Sequence, residues 1–166
     1  MDASSKSPPR SQATATFSYP SDRETVMTRV FRAPPAKVFK LWNDPGTIPA
    51  IWGADPSKVK IEKFEYRVGG EFPITVRGEG GDSNRFYGEF LEIVPDRRIV
   101  TSWRSSSVTD AGVVQTEEYA PVGSFTKLTI RWKRVRDDGP SRMAGPSVEA
   151  LMNAQAAAFD HILELA

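Results

Sequence analysis

A single histidine, no cysteine and scattered carboxylates set the limits of the chemistry open to this chain of 166 residues. His161 alone cannot organise a tetrahedral zinc site without recruiting several carboxylates, and the lack of thiols removes both a cysteine nucleophile and a disulfide framework. On a helical wheel His161 lies opposite the apolar stripe of the last segment, beside Asp160 and Glu164. It is therefore expected in solvent, out of reach of a Ser-His-Asp arrangement. No metal and no cofactor is expected. Gly78, Gly80 and Gly81 loosely resemble a phosphate-cradling loop. They lack Gly-Lys-Ser/Thr and a following helix, and read as a hairpin connection.

What remains is acid–base and hydrogen-bonding chemistry inside a pocket. Strand alternation places Tyr87 and Glu89 with Leu91 and Ile93, and groups Gln115, Glu117 and Tyr119 on another strand. Apolar companions that draw Glu89 inward would raise its pKa and poise it as an acid; the plainer reading is a solvated carboxylate, or one paired with an Arg. Glu89 and Tyr119 are the catalytic candidates. Tyr87 and Tyr119 are either pocket-wall hydroxyls or ordinary amphipathic sheet residues. Trp103, in the alternation Ile99, Thr101, Trp103, either packs in the core or forms a wall that stacks on a flat ligand. Trp132 points inward with Leu128 and Ile130. Met152, Gln155 and Phe159 fall where a helix would roof the cavity, and the Gln155 amide, set in an apolar stripe, needs a partner from the protein or a ligand. Arg77 could meet a ligand carboxylate, though solvent is its simpler environment.

These residues need a scaffold. Glu24–Ala33 alternates as a strand, Pro35 suits a first helical turn, and Val38, Phe39, Leu41 and Trp42 supply that helix's buried side. A helical turn is predicted around Thr47–Trp52. Strands are predicted over Lys58–Tyr66, Glu71–Arg77, Arg85–Val94, Arg98–Arg104, Val113–Tyr119 and Phe125–Arg134. Pro73 argues for an edge position or a bulge, and Ser105–Gly112 reads as a polar hairpin loop. Arg136–Pro146 is a loop leading to a helix over about Ser147–Ala166. Its stripe is Val148, Leu151, Met152, Gln155, Phe159, Ile162, Leu163 and Ala166. A curved antiparallel sheet with one long helix laid across it is an α+β architecture that encloses a hollow.

Composition bounds the rest. The 22 basic and 21 acidic residues leave a net charge of +1, against a dedicated nucleic-acid surface. Arg131, Lys133, Arg134 and Arg136 cluster, but at least two of them are the wet face of a strand. No stretch approaches the length of a membrane span, and a cytoplasmic location is the default. Residues 1–21, rich in Ser, Pro, Thr and Ala, read as a disordered leader dispensable for folding; residues 22–166 read as a single domain, monomeric or homodimeric.

Thr28-Arg29-Val30-Phe31-Arg32-Ala33-Pro34, Val38-Phe39 and Trp42-Asn43-Asp44-Pro45 open a series that continues with Gly69-Gly70-Glu71-Phe72. It extends through Gly88-Glu89-Phe90-Leu91-Glu92-Ile93-Val94-Pro95-Asp96-Arg97-Arg98-Ile99-Val100 to Ser102-Trp103. Over residues 23–166 the chain resembles proteins similar to the C-terminal domain of the activator of the heat-shock protein ninety ATPase, in the START-like or Bet v 1-like (SRPBCC) superfamily. The resemblance implies a helix-grip fold: a curved sheet wrapped around a long C-terminal helix, with a two-helix segment after the first strand. It implies three kinds of function: binding of a small hydrophobic or aromatic molecule, cyclase, aromatase or dehydratase chemistry on a polyketide-like substrate, and association with a chaperone.

Overall fold

Short alternating segments punctuated by Gly, Asp and Pro turns become one antiparallel sheet in the computed structural model, which describes residues 15–52, 55–78, 80–105, 108–135 and 146–166. The strands are β1 (Thr16–Ser21), β2 (Glu24–Phe31), β3 (Val59–Ile61), β4 (Glu71–Arg77), β5 (Ser83–Val94), β6 (Arg98–Ser105), β7 (Val108–Val122) and β8 (Phe125–Arg134). Helices α1 (Pro35–Trp42) and α2 (Ile48–Trp52) follow β2, and α3 (Pro146–Leu165) closes the chain. The spatial order β1-β2-β8-β7-β6-β5-β4-β3 leaves β1 and β3 as edges. This is the α+β helix-grip arrangement that the resemblance implies.

The helix boundaries follow local chemistry. Pro34 is extended and Pro35 occupies the first turn of α1, where a missing N–H costs nothing. Asn43 ends α1, and its side-chain amide donates back to the Phe39 carbonyl at 2.9 Å. Phe31, Trp42 and Phe159 then meet edge to face or tilted, at centroid distances of 6.1, 5.0 and 4.9 Å, locking β2, α1 and α3 together. Arg29 of β2, buried among these elements, pairs with Asp160 of α3.

Several boundaries differ from the sequence reading. Thr16–Ser21, read as leader, form β1, because Phe17 and its neighbours pair with Ser18↔Val26 register along β2. The Ala15 N–H donates to Asn153 at 2.7 Å and the Tyr19 hydroxyl to Glu149, so β1 also grips α3. Residues 1–14 lie outside the described residues. The strand predicted over Lys58–Tyr66 is regular only as β3; beyond it, the backbone N–H groups of Glu62 and Glu65 donate singly to the Pro73 and Glu71 carbonyls. Pro73 sits beside the edge strand, and its missing N–H faces the point where the β3 ladder ends. The predicted loop Ser105–Gly112 is largely ladder: Ser105 already pairs with Val108. On α3, Met152, Ala156, Phe159 and Leu163 form the buried row, whereas Leu151 is 51% exposed. Met152, Phe159 and Leu163 belong to the predicted stripe, while Ala156 takes the fully buried place expected for Gln155, which is half-buried at the cavity. The Val148 side chain, Arg136 and most of the predicted Arg136–Pro146 loop fall outside the described residues.

Gly88 shows how the sheet makes room for rings. Its register partners are Phe72 on β4 and Trp103 on β6, which meet edge to face at 4.8 Å. A Cβ on Gly88 would lie 2.5 Å from the Phe72 ring. Gly88→Ala is therefore expected to destabilise by about 1–3 kcal/mol, seen as a melting-temperature drop of about 3–10 °C. Deleting residues 1–21 strips β1 and its bonds to α3. A drop of more than about 4 °C relative to the full chain is expected, and an unchanged melt would show that β1 contributes nothing to the fold.

Candidate ligand cavity

Between the inner face of β4–β8, helix α2 and the first turns of α3 lies a cavity of about 570 Å³. Trp42, Trp52, Trp103 and Trp132, the four tryptophans of the chain, all border it. Trp52 meets Trp103 and Phe86, each at a centroid distance of 5.2 Å, and Phe72 stacks tilted on Phe90 at 4.5 Å. The aromatic wall therefore runs from α2 across β6, β5 and β4. Ile74, Ile130 and Met152 fill the gaps between the rings.

One strip of this wall is polar. It follows β7, whose inward residues are Val113, Gln115, Glu117 and Tyr119. The indole N–H of Trp132, directly across the ladder, donates to Gln115 Oε1 at 2.8 Å. Gln115 Nε2 donates to Glu117 Oε2 at 2.7 Å. At the other end Asn43 Nδ2 donates to Tyr119 Oη at 3.0 Å, and the Tyr119 hydroxyl donates to Glu117 Oε1. The Trp42 indole also borders the cavity here and favours the Glu117 carboxylate.

The direction of this chain is fixed at both ends. An indole N–H can only donate, which sets the Gln115 amide; the Phe39 carbonyl can only accept, which sets the Asn43 amide. Both halves thus run toward Glu117, a side chain only 5% exposed. Burial pushes the Glu117 carboxyl above its ordinary range, against the opposing pull of Tyr119, Gln115 and Trp42. Burial, followed by the Glu117 charge, pushes the Tyr119 hydroxyl well above its own.

The predicted site residues divide into three groups. Trp103, Trp132, Met152 and Gln155 border the cavity. Tyr119 and Phe159 are buried behind it: the Tyr119 ring packs edge to face on Phe39 at 5.1 Å, and Phe159 packs on Phe31 and Trp42. Tyr87 and Glu89 lie on the opposite, wet face of the sheet, Tyr87 being 39% exposed. They are therefore removed from the pocket wall. A bulge explains the inversion: Phe90 pairs with Thr101 but Glu92 with Val100, leaving Leu91 as an extra residue. Ile93 therefore shares the inner face with Phe90, Gly88 and Phe86, and not with Glu89. Arg77 and His161 are exposed. Among the described residues, no group of three His, Asp or Glu side chains is placed to hold a metal ion.

Glu117 was missed as a site residue, although the sequence carried a signal. Gly123, with φ of 61°, fits a two-residue turn between Val122 and Phe125. That turn fixes the register in which Glu117 opposes Ile130, a residue assigned to the inner face from alternation alone.

A curved antiparallel sheet gripping a C-terminal helix around an internal cavity defines a START-like, helix-grip protein. Residues 32–164 match the family described as activator of Hsp90 ATPase homolog 1-like protein, and the chain belongs to that family. None of the curated proteins matches it significantly. Among solved structures, a Rhodobacter sphaeroides protein is 20% identical with a TM-score of 0.77, over 91% of this chain and 98% of that one. Mll3558 from Rhizobium loti is 24% identical with a TM-score of 0.68, over 89% and 98%. DynU16, of the dynemicin biosynthetic locus, is 17% identical with a TM-score of 0.61, over 87% of this chain and 48% of its own. At these identities the likeness is one of fold. Among the described residues no helix is long and apolar enough to cross a membrane.

Glu117 also predicts a pH signature. Its folded pKa is raised from the ordinary 4.5, so between the two values the fold holds a proton that the unfolded chain releases. Its contribution to stability is complete below about 4.5 and fades as pH rises through the folded pKa. Asp160 is shifted in the same direction by burial, so the informative quantity is a difference. Thermal melts of the parent minus Glu117→Gln across this range should fall with pH; parallel curves would mean that Glu117 titrates normally.

Proposed function

We propose that this protein binds a small, flat, largely apolar molecule between the sheet and α3. The observation that carries this reading is the cavity itself. Its volume of about 570 Å³ lies within the usual range for small-molecule sites, about 300–1,000 Å³, and its walls are aromatic with one polar strip. The chaperone-associated reading rests on family membership alone and draws nothing from the cavity.

A second reading, acid–base catalysis on a polyketide-like substrate, draws on Glu117, a cavity-lining carboxyl whose proton affinity burial has raised. DynU16, named for a biosynthetic locus, is compatible with it at the level of fold. Tyr119 fits this role less well, because its hydroxyl is bonded on both sides behind the wall.

The test is titration with N-phenyl-1-naphthylamine, a neutral fluorescent probe, alongside native mass spectrometry of protein purified from its own host. Saturable binding of one probe is expected, with energy transfer from the tryptophans bordering the cavity. Trp103→Ala removes a wall without touching the Glu117 chain and should weaken the probe at least about tenfold, or about 1.4 kcal/mol. No saturable binding, or affinity unchanged in the variant, would place the site elsewhere.

A further inference from the structure

The converging hydrogen bonds specify what the polar strip can still accept. Gln115 and Tyr119 both donate to Glu117, and no group among its described partners accepts from it. A carboxylate offers about four acceptor positions, so these two donors leave acceptor capacity free, and the carboxylate borders the cavity. Trp42 and Trp132 border the cavity beside this strip, and Trp132 is linked to Glu117 through Gln115. Indole faces attract cations, with Trp the best of the aromatic side chains.

We propose that the ligand is an organic cation, a protonated amine carried on a flat apolar body, with its ammonium against Glu117 and its body along Trp52, Trp103 and Phe86. The inference rests on the cavity being a ligand site and adds the ligand's charge. The other charged residues bordering the cavity, Arg104 and Arg134, belong to its Val113 end. Arg104 is exposed. Arg134 pairs with Val113, four residues along β7 from Glu117. That spacing is about 13 Å of extended strand, so Arg134 is rooted at the end of the cavity away from Glu117.

The experiment compares 1-naphthylmethylammonium, 1-ethylnaphthalene and 1-naphthylacetate by isothermal titration of the full chain near neutral pH. The ammonium is expected to bind at least about tenfold more tightly than the neutral probe, and the carboxylate most weakly. Glu117→Gln should abolish the ammonium's advantage while leaving the neutral probe within about threefold. Ammonium and neutral probes binding equally well to the parent protein would overturn the inference and leave the cavity reading intact. Failure of all three to bind would remove the cavity reading and the inference with it.

A second measurement needs no variant, so misfolding of Glu117→Gln cannot rescue the idea. The ammonium requires the ionised carboxylate, so its binding should release a proton to the buffer and tighten as pH rises through the Glu117 titration, while the neutral probe stays flat. The groups facing Glu117 simplify that profile. Gln115 on β7, Trp42 and Asn43 at the end of α1, and Ile130 on β8 carry no charge. Tyr119 and Tyr66 are held neutral, their pKa values raised mainly by burial. A pH-independent ammonium affinity without proton release would overturn the proposal.

Discussion

A single straight helix cannot cover a strongly curved sheet along its whole length, and the rest of this structure depends on that mismatch. Along its later turns α3 is seated: Phe159 is enclosed by Phe31 and Trp42, and Arg29 reaches across to Asp160. Toward its start Met152 and Gln155 face the cavity and Leu151 stands largely in solvent. The cavity is the space left where the sheet curves away, and α2 fills one side of it through Ile51 and Trp52.

Keeping such a space open requires walls that support themselves. Rings braced edge to face do so, since each rests on the next and none needs a filling side chain from above. Gly88 is the structural counterpart of this bracing, because removing one side chain from β5 lets Phe72 and Trp103 meet over the bare backbone. The hydrogen-bond chain on β7 braces the remaining wall. It secures a buried carboxylate with donors whose orientations are set by groups that cannot reverse, the Trp132 indole and the Phe39 carbonyl. The result is a charged or chargeable atom group held ready in an otherwise apolar enclosure.

The buried ion pair has a different character. Arg29 and Asp160 bridge β2 and α3 beside Phe31, with the guanidinium 5.2 Å from that ring's centroid. Burial lowers the Arg29 pKa and raises that of Asp160, while each partner opposes the other's shift. Desolvation therefore consumes much of the attraction, and the pair's clearest contribution is to fix where α3 sits on the sheet. Together with the bonds from β1, it holds in place the helix that roofs the cavity.

Local alternation, turn residues and proline were enough to set the strand periodicity, the two helical segments after β2, the long closing helix and the inward face of Leu128, Ile130 and Trp132. The sequence also placed His161 in solvent, from wheel position alone. The β5 bulge was decided only in three dimensions: one unpaired residue at Leu91 reverses which side of the strand faces the core, so Glu89 and Tyr87 moved to solvent while Phe86 and Phe90 moved to the cavity. The place of β1 was likewise a tertiary matter, because a polar segment with little apolar content becomes a strand only when β2 and α3 supply partners. Glu117 became legible as a site residue through its convergence with Trp42, Asn43, Gln115, Tyr119 and Trp132. Those side chains come from positions as far apart in sequence as Trp42 and Trp132, and contacts between distant segments leave no periodic trace along the chain.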